Sequence, residues 1–296
     1  MMWAARMSER TWESAPAGLV LRLTLVDLLL RPGGSWAVRS SLLALAALGI
    51  LVPKALHSPP LWLALAGLTG WRVIESWPLA DNHAYLLSYW CLAVAIALLI
   101  SEGAETLRRS ARWLLVAVFG LTLLWKGLLA PEYLDGRFFR VTLLKDDRFS
   151  QASQLVGGLT PEEIRLNREA LRPPPDGAQL LEPPDLVEPP TFLRFARAAT
   201  WGTFLMEATV AAAFLLPLPG RVAAARHVAL LLFCTLTYAF APVAGFGWLL
   251  LAMGMAQCRP QERRWELCYA VAFFLVLFLV EIPWARLALQ WVRAPT

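Results

Sequence analysis

The sharpest chemical feature of this sequence is a lysine near the end of an apolar run. Lys126 stands in LLWKGLLAPEYLDG, and the chain holds only three lysines, Lys54, Lys126 and Lys145. An ammonium group in hydrocarbon is costly unless it is paired or wetted. Lys126 therefore either snorkels to the interface or does chemistry. His83 opens another apolar run, in WPLADNHAYLLSYW, behind Asp81 or Asn82 as helix cap. Consecutive spans run antiparallel, so the start of one and the end of the next lie at similar depth. His83 and Lys126 are thus compatible with a shared site, where a desolvated amine beside an imidazole serves as a base. Glu207 lies in the middle of ATWGTFLMEATVAAAF, between Thr203 and Thr209. A carboxylate at that depth should be paired, protonated or in a wet cavity, and a structural tie between helices is the alternative to a functional role.

The elements that must position these groups are spans. Of 296 residues, 58% are hydrophobic and 17% are charged, and mean hydropathy is +0.53. Soluble domains are less apolar and more charged. A soluble enzyme, a nucleic-acid binder and a disordered chain are poor fits, and a polytopic membrane protein remains. A crossing helix needs about 20 apolar residues. The runs that qualify or nearly so are Trp36–Leu51, Leu61–Ile74, His83–Ile100, Ala111–Ala130, Ala198–Leu216, His227–Gln257 and Leu267–Trp284. The sixth is interrupted near Pro242 and Gly245, and reads as one kinked helix or two passes. The expectation is an all-α, polytopic transmembrane helical bundle of seven or eight spans. Tryptophans such as Trp36, Trp62, Trp125 and Trp284 sit near span ends, as an aromatic belt would.

Residues 1–34 are expected to hold a frayed tail and then an amphipathic interfacial helix, AGLVLRLTLVDLLL, ended by Arg31-Pro32-Gly33-Gly34. Residues 35–296 form the membrane domain, with one long extramembrane loop at 131–192. Within that loop, Thr160 caps a short helix, with Pro161 at its first position and Glu163 three residues after the cap. The Pro-rich tail of the loop reads as a stiff connector. Four cysteines without a CxxC pair read as buried free thiols, and no metal site is expected.

The net charge of +5 is almost all arginine. Arg108, Arg109 and Arg112, then Arg221 and Arg226, then Arg259, Arg263 and Arg264 fall in three short loops. If 227–257 makes two passes, all three lie on one face, which the positive-inside rule makes cytoplasmic. The 131–192 loop is then extracytoplasmic, in a bacterial inner membrane. Arg22, Arg31 and Arg39 count the other way.

The order of motifs resembles a known family. NHAYL at 82–86 opens one span. Lys126 and then Tyr-Leu-Asp-Gly at 133–136 close the next. A later span carries Glu207, and AFAPVAGFGWLLLAMG at 239–254 follows. This pattern, over roughly residues 18–258, resembles the HTTM domain, shared by vitamin K-dependent gamma-carboxylase and many bacterial membrane proteins. The resemblance implies that Lys126 is the base that deprotonates a quinol and that His83 assists it. Asn82, Tyr133 and Glu207 are then substrate-facing. The chain departs from the family in carrying Trp125-Lys126 where the carboxylase has two lysines. About two extra residues precede the Tyr-Leu-Asp-Gly motif, and Cys234 and Tyr238 lie where a histidine is expected. The large extramembrane domain that binds protein substrate does not follow. The expectation is therefore a quinone or other lipid-soluble small molecule in a membrane pocket, not carboxylation of a propeptide-bearing protein. A non-catalytic membrane scaffold, holding a protein partner through the 131–192 loop, is the rival reading. The bilayer is a partner in either case, and nucleic acid in neither.

Overall fold

Apolar patterning at helical period, punctuated by proline, produces fifteen α-helices among the described residues. The computed structural model describes residues 15–173, 184–217, 220–240, 245–282 and 284–293. Residues 1–14 of the expected frayed N-terminus, residues 174–183 of the Pro-rich tail and Pro242 lie outside them. Four helical segments are long and apolar enough to cross a membrane: Asn82–Leu99, Gly103–Leu129, Pro190–Leu215 and Val222–Phe240. The chain divides into two compact units. One holds Met1–Phe119, Val210–Thr235 and Val243–Leu277, and the other Gly120–Thr209, Leu236–Pro242 and Phe278–Thr296.

In the first unit, α1 (Ala15–Leu30) packs against α2 (Trp36–Leu51) and α13 (Phe246–Met255). Neighbouring helices cover much of α1. Val20, Leu21, Leu25 and Thr24 are all buried, and so is Asp27. Its apolar residues occur all round the helix, the pattern of a core helix. The Thr24 hydroxyl donates to the Val20 carbonyl and accepts from the Trp90 indole N–H at 3.0 Å. After the short α3 (Pro53–Leu56), α4 (Pro59–Glu75) lies along the length of α5 (Asn82–Leu99). Gly70 permits that approach, since a Cβ there would stand 3.2 Å from the Ser88 hydroxyl. Ser88 in turn donates to the Ala66 carbonyl.

The sixth helix, α6 (Gly103–Leu124), begins ahead of the expected Ala111, in a charged turn where Arg108 and Arg109 pair with Glu105. Leu107, Ala111, Leu115 and Phe119 form its buried stripe. Trp113 and Leu121 are exposed on the other side, an apolar face suited to lipid.

The second unit contains the loop that follows. It is a packed helical layer, more ordered than the single capped helix that the sequence suggests. Its elements are α7 (Pro131–Leu134), α8 (Arg137–Lys145), α9 (Ser150–Leu155) and α10 (Pro161–Ala170). Leu143, Leu144, Phe149, Leu159 and Ile164 bury together with Phe192 and Ala196 of α11 (Pro190–Leu215). The Thr160–Glu163 capping box forms as expected, with both reciprocal hydrogen bonds present. Asn167, buried in α10, exchanges two hydrogen bonds with the backbone of Val187, and Arg140 pairs with Glu188. These contacts fasten the extended segment before Pro190 to the layer.

Downstream, α12 (Ala225–Phe240) and α13 are separate helices. Only five residues join them, and Gly254 of α13 lies against Leu230 of α12. The two therefore run antiparallel, which favours the two-helix reading of 227–257 over one kinked helix. The last two helices are α14 (Arg263–Glu281) and α15 (Trp284–Arg293), of which α15 packs against α9.

Candidate functional site

Lys126 lies in a π-helical turn, Trp125–Leu129, that ends the long Gly103–Leu129 helix. Pro131 is the local cause: it has no N–H and cannot continue the ladder. The Ala130 N–H instead reaches back to the Trp125 carbonyl at 2.9 Å. The wide turn swings the lysine out of the usual helical register, and such bulges recur at functional sites.

The lysine is neither stretched toward water nor left facing lipid. Its Nζ donates to both carboxylate oxygens of Glu207, at 2.7 and 2.8 Å. The two side chains are 12% and 9% exposed, so this is a buried ion pair. Glu207 arrives from α11, and Gly127, one residue on from the lysine, lies against Phe204 of the same helix. The ammonium also sits 4.4 Å from the centre of the Tyr133 ring, a cation–π contact.

Tyr133 is buried and braced by Phe138 and Phe139, with ring centres 5.2 and 5.8 Å away. Its hydroxyl has Thr203 beside it but makes no hydrogen bond of regular geometry. Burial, and then the Glu207 charge, push the phenol above its ordinary value, so it stays protonated at neutral pH. A buried phenolic O–H without a firm partner, next to a buried ion pair, can donate to an incoming oxygen.

Three of the five residues singled out by sequence, Lys126, Tyr133 and Glu207, thus meet within the second unit. The other two, Asn82 and His83, belong to the first unit, at the start of α5. There Asp81 occupies the cap position without a side-chain hydrogen bond, and its carboxylate lies 3.9 Å from His83 Nε2. The partner that the structure supplies for the lysine is Glu207.

Sequence reasoning passed over one further polar cluster. His227 is fully buried, hydrogen-bonded through Nδ1 to the Tyr269 hydroxyl at 3.0 Å and stacked on Trp265. The i, i+4 spacing of Trp265 and Tyr269 was the available signal, since it puts both rings on one helix face. Cys91, Cys234 and Cys258 are buried free thiols, while Cys268 is exposed. Among the described residues, no group of three His, Cys, Asp or Glu side chains is placed to hold a metal ion.

No family model matches the chain, no curated protein matches it, and no solved structure matches its fold.

Proposed function

We propose that this chain is an HTTM-type integral membrane enzyme, acting on a quinol or another lipid-soluble acid at the Lys126–Glu207–Tyr133 cluster. The observation that carries this reading is the buried ion pair at a π turn, under a phenol with an unused donor. In a dry site the gap between a charged pair and its neutral form narrows. A proton on Nζ can then pass to the Glu207 carboxylate, leaving a neutral amine. The amine lone pair takes the proton of a substrate O–H, and the substrate anion is left beside the new ammonium. Tyr133 donates to the substrate oxygen as its charge develops. The membrane is the bacterial inner membrane, with the 131–192 loop on the extracytoplasmic side.

The test uses the purified full chain and a short-chain naphthohydroquinone. The expected result is the absorbance of the hydroquinone anion at neutral pH with the native chain. It should disappear in the paired variant Lys126→Met/Glu207→Leu, which keeps the site packed without charge. An anion signal that is absent from the native chain, or equal in the variant, sinks the reading. A reporter fused within 137–170 should be active only outside the cytoplasm.

The scaffold reading has one observation in its favour. The 131–173 layer packs a core with α11 yet leaves Leu155, Val156 and Leu166 exposed. On that reading the paired variant is silent in cells, and Val156→Glu or Leu166→Glu abolishes the phenotype.

A further inference from the structure

Three arginines, from two helices and one connection, line one cavity in the first unit. The cavity has a volume of about 290 Å³ and is lined by Arg112 of α6, Arg226 of α12, Arg259 and Glu262 from the α13–α14 connection, and Leu216 and Pro217 beyond the end of α11. Arg112 is partly committed. Its Nε and Nη2 donate to the Phe214, Leu215 and Leu216 carbonyls, at and just past the end of α11. Arg226 is half-buried, and its guanidinium makes only a long 3.4 Å contact with His227 Nε2. Glu262 accepts from the Arg259 backbone N–H at 2.9 Å. Among the described residues, no carboxylate stands within ion-pair distance of Arg112, Arg226 or Arg259. Three guanidinium groups and one carboxylate thus leave an excess of two positive charges around a polar hollow.

Topology alone accounts for arginines at this end of the helices, but not for three of them lining one shared space. Like charges held together at partial burial repel unless an anion joins them. Guanidinium forks recognise phosphate oxygens in particular. The charge excess matches a phosphomonoester dianion, and the apolar Leu216–Pro217 wall suits the carbon skeleton attached to it.

We propose that this cavity is a binding site for a phosphomonoester, supplied either by a phospholipid headgroup or by a soluble phosphate compound.

Calorimetric titration of the full chain in neutral detergent tests the proposal. The probes are glycerol 3-phosphate, dioctanoyl phosphatidic acid and, as a zwitterionic control, dioctanoyl phosphatidylcholine. Binding of either phosphomonoester well above the phosphatidylcholine control is expected, weakened about tenfold or more by Arg226→Gln or Arg259→Gln. Arg263→Gln, on an exposed residue outside the cavity, should change nothing. Binding of phosphatidic acid alone identifies the headgroup as the source. Binding of glycerol 3-phosphate alone identifies a soluble compound, and binding of both establishes the shared chemistry. Should Arg226→Gln fail to fold, the exposed Arg259 decides the matter. Failure of both phosphomonoesters to exceed the control, or equal affinity in a folded Arg→Gln variant, overturns the proposal.

Discussion

At the scale of single residues, the Lys126–Glu207 pair has the clearest energetic consequence. Removing one partner of a buried pair strands the other charge, at a cost of about 3–5 kcal/mol. Lys126→Ala and Glu207→Ala should each lower stability by that order, measured by unfolding in detergent. The apolar pair Lys126→Met/Glu207→Leu should recover most of the loss. Strictly additive losses would mean that the two groups do not interact. A second residue-scale prediction concerns pH. The Glu163 carboxyl is held below its ordinary value by the Thr160 backbone N–H first and the Thr160 hydroxyl second. A depressed value means that the capping box stabilises fully above the ordinary carboxylate range and weakens as pH falls through the folded value. Amide protection at the start of α10, corrected for intrinsic exchange, should therefore decline below about pH 4. Thr160→Ala should cost about 1 kcal/mol at neutral pH and leave much of that dependence, since the backbone N–H remains, whereas Glu163→Gln should abolish it.

At the scale of elements, two glycines make opposite predictions. A Cβ on Gly254 would stand 2.5 Å from the Tyr269 ring and 2.7 Å from Leu230. Tyr269 is buried and tied to His227, so it has little room to yield. Gly254→Ala should thus destabilise by about 1–3 kcal/mol, the usual cost of overpacking. A Cβ on Gly67, by contrast, meets nothing within 4 Å. Gly67→Ala should stabilise by about 0.5–1 kcal/mol through helix propensity. Thermal unfolding of the two variants side by side checks both signs. The same scale shows where local patterning misleads. The charges of α1, Arg22 and Asp27, suggest a helix lying in water on one side, yet Asp27 is buried. Charge pattern along a segment reports polarity, whereas burial depends on which helices come to cover it.

At the scale of the whole molecule, helices such as α5 and α6 expose apolar stripes while burying others. On α5, Tyr89, Leu92, Ile96 and Leu99 are exposed, and Trp90, Cys91, Val94 and Ala95 are buried. Exposed apolar surface on this scale needs a lipid solvent. The protein should stay in the membrane pellet after an alkaline carbonate wash and need detergent for release; recovery in the wash would contradict the four candidate spans.

Helical class, helix ends and the need for a membrane were determined by the sequence itself. The Thr160 cap, the Pro131 stop and the apolar runs act over a few residues, through backbone geometry and composition that any tertiary arrangement must respect. Lys126 and Glu207 were also recognisable one by one, because charge is conspicuous in apolar surroundings, whereas Tyr133 stood out only through its place in the Tyr-Leu-Asp-Gly motif of the family that the chain resembles. Their association was not. Lys126 and Glu207 are 81 residues apart, and their meeting depends on the register of one helix against another and on a π turn that shifts the lysine round its axis. The packed layer after Pro131 and the gathering of three arginines round one cavity have the same origin. Partner choice between distant segments follows from packing the whole chain at once, and only the tertiary structure decided it.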